Sequence, residues 1–277
     1  MTIDEIIVQA LSEDIGEGDH TTLATIPPGV TGSAKLLAKE TGILCGVDLA
    51  ARIYDRLDPA IRLTIYFHDG EAVKNGDLVF EVSGRKASIL QAERLVLNFI
   101  QRLSGIATAT HKVVVQLAGL KTRILDTRKT TPLLRELEKY AVRTGGGENH
   151  RMGLYDMVMI KDNHVDYAGG IVKAIDAVHS YFNRTGKNLK IEIEVRNFNE
   201  LKQVLDYGKI DRIMLDNFSV ENTAEAVRRI GNRFETEASG GITLENVRVY
   251  AETGVDYISM GALTHQIKSL DMSLKAI

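Results

Sequence analysis

The sequence predicts an α/β fold in two parts, a small α+β domain followed by a β/α barrel. Three observations carry this reading: alternating apolar runs separated by turn residues in the first third, a helical block near residues 87–106, and six apolar runs alternating with helix-like stretches after Gly119. At 277 residues the chain can form one large barrel or a small domain joined to a mid-sized one, and either buries a full core.

Taken in order, residues Ile3 to Leu11 read as an amphipathic helix, and Glu13 to Thr22 as an Asp/Gly-rich turn. Strand-like alternation comes next at Ser33–Ala38, Arg62–Phe67 and Leu78–Val82. The stretches Gly42–Gly46, His68–Gly70 and Asn75–Asp77 carry the turn chemistry that antiparallel pairing needs. From Ala87, apolar residues such as Ile89, Leu90, Leu97, Ile100 and Leu103 recur at helical spacing up to Ser104-Gly105, where a second helix is expected to begin and a domain junction to lie.

The apolar runs after Gly119 are Thr122–Leu125, Met157–Ile160, Lys190–Val195, Arg212–Leu215, Phe234–Ala238 and Asp256–Met260. Strand, helix, strand at this spacing implies parallel units with right-handed crossovers. Six strands favour a barrel over an open sheet, but an incomplete one.

Composition narrows the partners. A net charge of -3 excludes a general nucleic-acid surface, so anion binding has to be local. Cys45 is the single cysteine, which leaves no intrachain disulfide and no Cys-rich zinc site and fits a reducing, cytoplasmic setting. Met1 to Ala10 reads as a helix rather than a basic leader, and no stretch of about 18 apolar residues occurs.

The residues just beyond each barrel strand carry the chemistry. The strand ends lead into Asp126-Thr127-Arg128-Lys129, Lys161-Asp162-Asn163, Glu194, Asp216-Asn217, Ser239-Gly240-Gly241 and Gly261-Ala262. In a β/α barrel the strand C-termini open on one face, so these residues converge although they are far apart in the chain. Arg128, Lys129, His150, Arg151 and Lys161 suit substrates bearing several carboxylate or phosphate groups. Gly145-Gly146-Gly147 and Gly240-Gly241 let backbone N–H groups approach an anion, Gly145–Gly147 also being a candidate hinge, and Gly261-Ala262-Leu263-Thr264 opens a helix. The two late loops predict a 5'-phosphate pocket.

Glu194 and Asp216 end neighbouring strands and suit Mg²⁺ held jointly with substrate phosphates; the alternative is that they pair with Arg128 or Lys161 and only organise the pocket. Glu192 points the same way as Glu194 by alternation, with Glu194 nearer the open end. His20, His68, His111 and His179 read as surface or packing residues, whereas His164 and His265 could meet an anion or cap local backbone.

With these motifs in place the chain resembles the quinolinate phosphoribosyltransferases over nearly its whole length. The resemblance rests on Leu11–Asp19, Asn98–Thr108, Asp126–Pro132, Gly145–Arg151, Ile160–His164, Leu215–Asn217, Glu237–Ile242 and Ser259–His265. It implies a type II phosphoribosyltransferase fold: an N-terminal α/β sandwich domain (1–106) plus an incomplete, open α/β barrel (107–277), the last helix packing back on the first domain. It further implies transfer of the phosphoribosyl group of phosphoribosyl pyrophosphate to quinolinate with decarboxylation, needing Mg²⁺ and no organic cofactor. The assembly implied is a homodimer, or a dimer-based hexamer, with shared active sites.

By the same resemblance Arg128, Lys129, His150, Arg151 and Lys161 match quinolinate-binding positions, with Arg102 joining from a partner subunit. Glu194 and Asp216 match positions for Mg²⁺ and the donor's ribose, and Ser239, Gly240, Gly241, Gly261, Ala262 and His265 match its phosphate-binding segment. Lys129, Lys161, Glu194 and Asp216 are the implied catalytic set. Leu133 and Gln266 depart from the family pattern, Leu133 standing where a small or polar residue is usual. Other readings of the same fold are a paralogue associated with molybdenum transport, a nicotinate phosphoribosyltransferase, and a catalytically silent binding protein.

Overall fold

The computed structural model describes residues 1–277. In chain order its elements are α1 (Ile3–Ile15), α2 (His20–Thr25), β1 (Thr31–Ala38), β2 (Gly42–Ile43), α3 (Val47–Leu57), β3 (Arg62–Ile65), β4 (Ala72–Val73), β5 (Leu78–Arg85) and α4 (Lys86–Gln116). Next come β6 (Arg123–Leu125), α5 (Arg135–Thr144), β7 (Val158–Ile160), α6 (Asp162–Ala168), α7 (Ile171–Thr185), β8 (Ile191–Val195), α8 (Phe198–Tyr207) and β9 (Arg212–Asp216). The chain ends with α9 (Val220–Ile230), β10 (Glu235–Ser239), α10 (Val247–Ala251), β11 (Tyr257–Ser259), α11 (Ala262–His265) and β12 (Met272–Ala276).

Two compact units form, one of residues 1–111, 130–146 and 263–277, the other of residues 112–129 and 147–262. A single cut between residues 106 and 107 therefore passes over two returns of the chain to the first unit. The last element is a strand, not a helix: β12 pairs antiparallel with β1, Leu274 opposite Leu36 and Ala276 opposite Ala34. The edge of β1 has backbone donors and acceptors to satisfy, and an extended Met272-Ser273-Leu274-Lys275-Ala276 meets them where a helix could not.

In the first unit the four-stranded sheet runs β12-β1-β5-β3, and β2 pairs separately with β4. Ala34, Leu36 and Ala38 alternate into the core, as period-2 patterning requires, and Tyr54 of α3 meets Phe80 of β5 edge to face at 6.4 Å. Helix α1 begins with a capping box, the Glu5 N–H donating to Thr2 Oγ1 and the Thr2 N–H to Glu5 Oε2. The expected Glu13–Thr22 turn already contains the start of α2, capped by Asp19.

Helix α4 corrects the expected break at Ser104-Gly105. It runs unbroken for 31 residues. A Cβ on Gly105 would lie 2.4 Å from the Lys268 carbonyl oxygen, so this glycine is there for close approach of backbone rather than to end a helix.

In the second unit six parallel strands run β6-β11-β10-β9-β8-β7. β6 and β7 are the two edges, so the barrel is open. The main-chain bridge between Leu125 and Glu148 covers part of the β6 edge. Ile193, Ile213 and Leu215 are buried in a core that also takes Ile175, Leu201, Val204, Ala226 and Ile230 from the covering helices. Burial of each large aliphatic side chain contributes roughly 1.5–3 kcal/mol. That core keeps the strand ends, and hence the site, in register.

Candidate active site

All six strands of the second unit point the same way, so Asp126, Lys161, Glu194, Asp216, Ser239 and Gly261 lie at one edge of its sheet. On the β7–β8 side Lys161 Nζ lies 3.3 Å from Glu194 Oε2. Burial raises the Glu194 pKa, with Asp216 and Asp162 adding to it and Lys161 opposing. Repulsion between Glu194 and Asp216 is what a hard divalent cation relieves, and an all-oxygen donor pair fits Mg²⁺.

Two of the basic residues, Arg128 and Arg151, lie near one another. Arg151 has its guanidinium pKa lowered, first by burial and then by the charge of Arg128. Its Nη1 also donates to the Met157 carbonyl. Two guanidinium groups held near one another favour an anion with more than one oxygen pair. Lys129 is exposed, its N–H donating to Thr127 Oγ1.

His150 sits differently from the expectation that it touches substrate. It is buried, its Nδ1 accepts the Arg151 N–H at 2.7 Å, and its Nε2 lies 3.0 Å from Glu192 Oε2 and 3.4 Å from Glu237 Oε2. Burial alone would lower its pKa, but the close carboxylates of Glu192 and Glu237 outweigh that and raise it. Nε2 carries the proton that faces Glu192 and Glu237. His150 thus supports the Arg151 backbone from beneath.

Alternation places Glu192 on the face of Glu194, but its pairing with His150 and Glu237 was not foreseen. Burial and the Glu237 charge push Glu192 up to about 7, while Glu237 stays below the ordinary range because His150 and Arg212 offset its burial. Arg212 Nη1 is 3.0 Å from Glu237 Oε2, and its guanidinium stacks 4.0 Å from the Tyr257 ring centre. The His150, Glu192 and Glu237 ligand atoms lie within 4.8 Å of one another, close enough for a metal, but Arg212 already supplies a cation there. Asp126 was also missed as an organiser: buried at the end of β6, it accepts from the His150 N–H at 2.9 Å and from Asn149 Nδ2 at 2.5 Å. The same alternation could have pointed Glu237 inward; nothing in it pairs either glutamate with His150.

On the β9–β11 side Ser259 Oγ donates to Ser239 Oγ at 3.0 Å. Gly240 and Gly241 adopt φ +93° and +63°, left-handed values that favour glycine. Gly261 and Ala262 are half-buried after β11, and α11 is a single turn. The Gly145 N–H is taken by the Ala141 carbonyl, and a Cβ there would lie 2.4 Å from the Ala107 carbonyl oxygen, so this glycine packs against α4. His164 Nδ1 accepts the Lys161 N–H at 2.9 Å and so caps local backbone.

Arg102 and His265 belong to the first unit. There Arg102 bonds Glu138 through Nε and Nη2 and reaches Thr131 Oγ1 at 2.8 Å and the Thr264 carbonyl at 3.2 Å. Within its own chain, then, Arg102 anchors the segment just after Lys129. His265 is exposed. Leu133 takes φ +68°, which explains why a small or polar residue suits that position and costs a leucine about 1–2 kcal/mol.

A mouth lined by guanidinium, ammonium, carboxylate and glycine loops, at the C-terminal edge of a parallel β/α sheet, defines an enzyme for small multiply anionic substrates. The family models narrow this: the N-terminal domain of quinolinate phosphoribosyl transferase matches residues 19–104 and the C-terminal domain matches residues 106–275. The chain belongs to the quinolinate phosphoribosyltransferase family.

Among its relatives, the mitochondrial, decarboxylating quinolinate phosphoribosyltransferase 2b of Nicotiana tabacum is 47% identical over 98% of this chain and 81% of its own length. The probable carboxylating nicotinate-nucleotide pyrophosphorylase of Bacillus subtilis is 43% identical over 95% of this chain and 89% of its own length. The nicotinate-nucleotide pyrophosphorylase structure from Francisella tularensis superposes with a TM-score of 0.93 at 42% identity, covering 99% of this chain and 96% of that one. Likeness to the human nicotinic acid phosphoribosyltransferase structure, with a TM-score of 0.67 at 11% identity over 100% of this chain and 74% of that one, shows shared fold alone.

Proposed function

We propose that this chain transfers the phosphoribosyl group of phosphoribosyl pyrophosphate to quinolinate, releasing pyrophosphate and CO₂ and giving nicotinate mononucleotide for NAD biosynthesis. The observation that carries this reading is the pair Arg128 and Arg151, near enough for their charges to act on one another, with Arg128 just beyond the end of β6 on the edge where Glu194 and Asp216 also lie. Paired guanidinium groups answer two ring carboxylates, and the name of the Nicotiana tabacum relative points to the same acceptor.

Arg128, Arg151 and Lys161 hold the ring carboxylates and offset their repulsion from the donor's phosphates, so the ring nitrogen can approach C1 of the ribose. The nitrogen lone pair forms the N–C1 bond as the C1–oxygen bond to pyrophosphate breaks, and Glu194 and Asp216 stabilise the positive charge that develops on the sugar. The product nitrogen is cationic. When the carbon–carboxylate bond beside it breaks, the electron pair stays on the ring carbon next to that cation, and Lys129 or Lys161 delivers the proton that replaces CO₂. Ser239, Gly240, Gly241, Gly261 and Ala262 hold the 5'-phosphate, and the family resemblance adds His265 to that set.

Glu194 and Asp216 would hold Mg²⁺ together with the donor's phosphates, and the ion supplies neutralisation of the leaving diphosphate. We further infer a homodimer, or a dimer-based hexamer, in which the partner subunit's Arg102 completes the acceptor pocket. A cytoplasmic setting fits the lone, buried Cys45, and no helix is long and apolar enough to cross a membrane.

The test is turnover by purified protein given phosphoribosyl pyrophosphate, Mg²⁺ and either quinolinate or nicotinate, following mononucleotide and CO₂. Quinolinate should be used with stoichiometric CO₂. Preference for nicotinate, or no turnover of quinolinate, overturns this function; sedimentation of the same preparation tests the dimer.

A further inference from the structure

Asp216 ends β9 and Gly240 follows the end of the neighbouring β10, and one residue joins them. Asn217 comes directly after Asp216 at φ +55°, a region that glycine and asparagine tolerate and most residues avoid. Its N–H donates to the Ser239 carbonyl at 2.8 Å, crossing from the end of β9 to the end of β10. Its Nδ2 donates to Asp216 Oδ2 at 2.8 Å. A carboxylate only accepts, so the NH₂ end of the amide must face Asp216. The carbonyl end then faces Gly240, where a Cβ would lie 2.2 Å from Asn217 Oδ1 and 2.6 Å from its Cγ.

We propose that Asn217 is a positioning residue for the phosphoribosyl donor. It fixes one oxygen of Asp216 and shapes the Gly240 loop at once, so that the ribose- and metal-facing carboxylate and the phosphate-facing glycines keep a set separation. This rests on the reading that Asp216 and Gly240 hold the donor. It also accounts for Gly240 twice over: its φ of +93° favours glycine, and the space a side chain would need is taken by the Asn217 amide.

The bland alternative is that Asn217 merely turns the chain, and a glycine would do that at least as well. Asn217→Gly separates the two readings because it keeps the torsion and deletes the amide. The proposal expects N217G to keep the melting temperature and the quinolinate KM of the parent while the KM for phosphoribosyl pyrophosphate rises roughly tenfold, the scale of one lost hydrogen bond to a charged group. The half-saturating Mg²⁺ concentration should rise with it. Asn217→Asp keeps the shape but sets a second carboxylate against Asp216, and should lose donor affinity at least as severely.

Calorimetric titration of the parent and N217G with phosphoribosyl pyrophosphate and Mg²⁺ gives the same comparison without turnover. If the parent binds the donor and N217G binds it equally well, the positioning role is overturned and the proposed function stands. Equal losses for donor and quinolinate, together with a lower melting temperature, also overturn it in favour of a structural role. A parent that does not bind the donor overturns both.

Discussion

Lys161 Nζ, just beyond the end of β7, and Glu194 Oε2 of the adjacent parallel β8 meet at 3.3 Å, a cation against a carboxylate at the edge where the strands end. This one contact links the two halves of the site, since Lys161 also lowers the proton affinity that burial and Asp216 give Glu194. Lys161→Met should lower kcat/KM for quinolinate by about 10²-fold or more, the usual scale for a positioned proton donor. CO₂ and mononucleotide should fall together; CO₂ release at the parent rate would remove Lys161 as the proton source and leave Lys129.

His150 and Glu192 form a buried pair at 3.0 Å, and removal of one partner strands the other. His150→Ala should destabilise the fold by about 3 kcal/mol, the cost of leaving a buried charge without its partner. Adding Glu192→Gln in the same chain should recover part of that loss. Urea unfolding of the two single variants and the double variant measures the coupling, and additive losses would mean that the contact contributes nothing.

Gly105→Ala inverts the usual helix rule. Alanine favours an exposed helix interior by about 1 kcal/mol over glycine, but here its Cβ would sit 2.4 Å from the Lys268 carbonyl oxygen. We expect a net loss of roughly 1–3 kcal/mol, as for other overpacked sites, seen as a lower urea midpoint.

Asp58 should contribute to acid sensitivity. Arg85 Nε and Ser88 Oγ both donate to its Oδ2, at 2.7 and 2.8 Å, and the hydrogen bond from Arg85 is the main reason its pKa falls from 3.8 to about 2. Because the folded value is the lower one, its stabilisation is complete above about pH 4 and disappears as pH falls through about 2. Asp58→Asn should therefore lose stability at pH 6 and narrow the gap to the parent as the pH approaches 2, read from urea midpoints across that range.

Much of the site was legible because barrel chemistry is written at strand ends. Lys161, Glu194, Asp216 and Ser239 each end or follow an apolar run, and parallel strands bring such ends to one edge whatever lies between them. Glycine was harder to read. Gly105, Gly145 and Gly240 look alike in a sequence, yet the first lets a carbonyl approach a helix, the second packs on α4, and the third makes room for Asn217.

What the sequence alone determined is what short range controls: six barrel strands, the first helix and the residue types at the mouth, since alternation and helical spacing depend on neighbours a few residues away. Tertiary structure decided the rest. The return of β12 to β1, the continuity of α4 and the pairing of His150 with Glu192 and Glu237 all join residues distant in the chain. Edge hydrogen bonds, close backbone approach and charge burial depend on what arrives across that distance, and local pattern does not carry it.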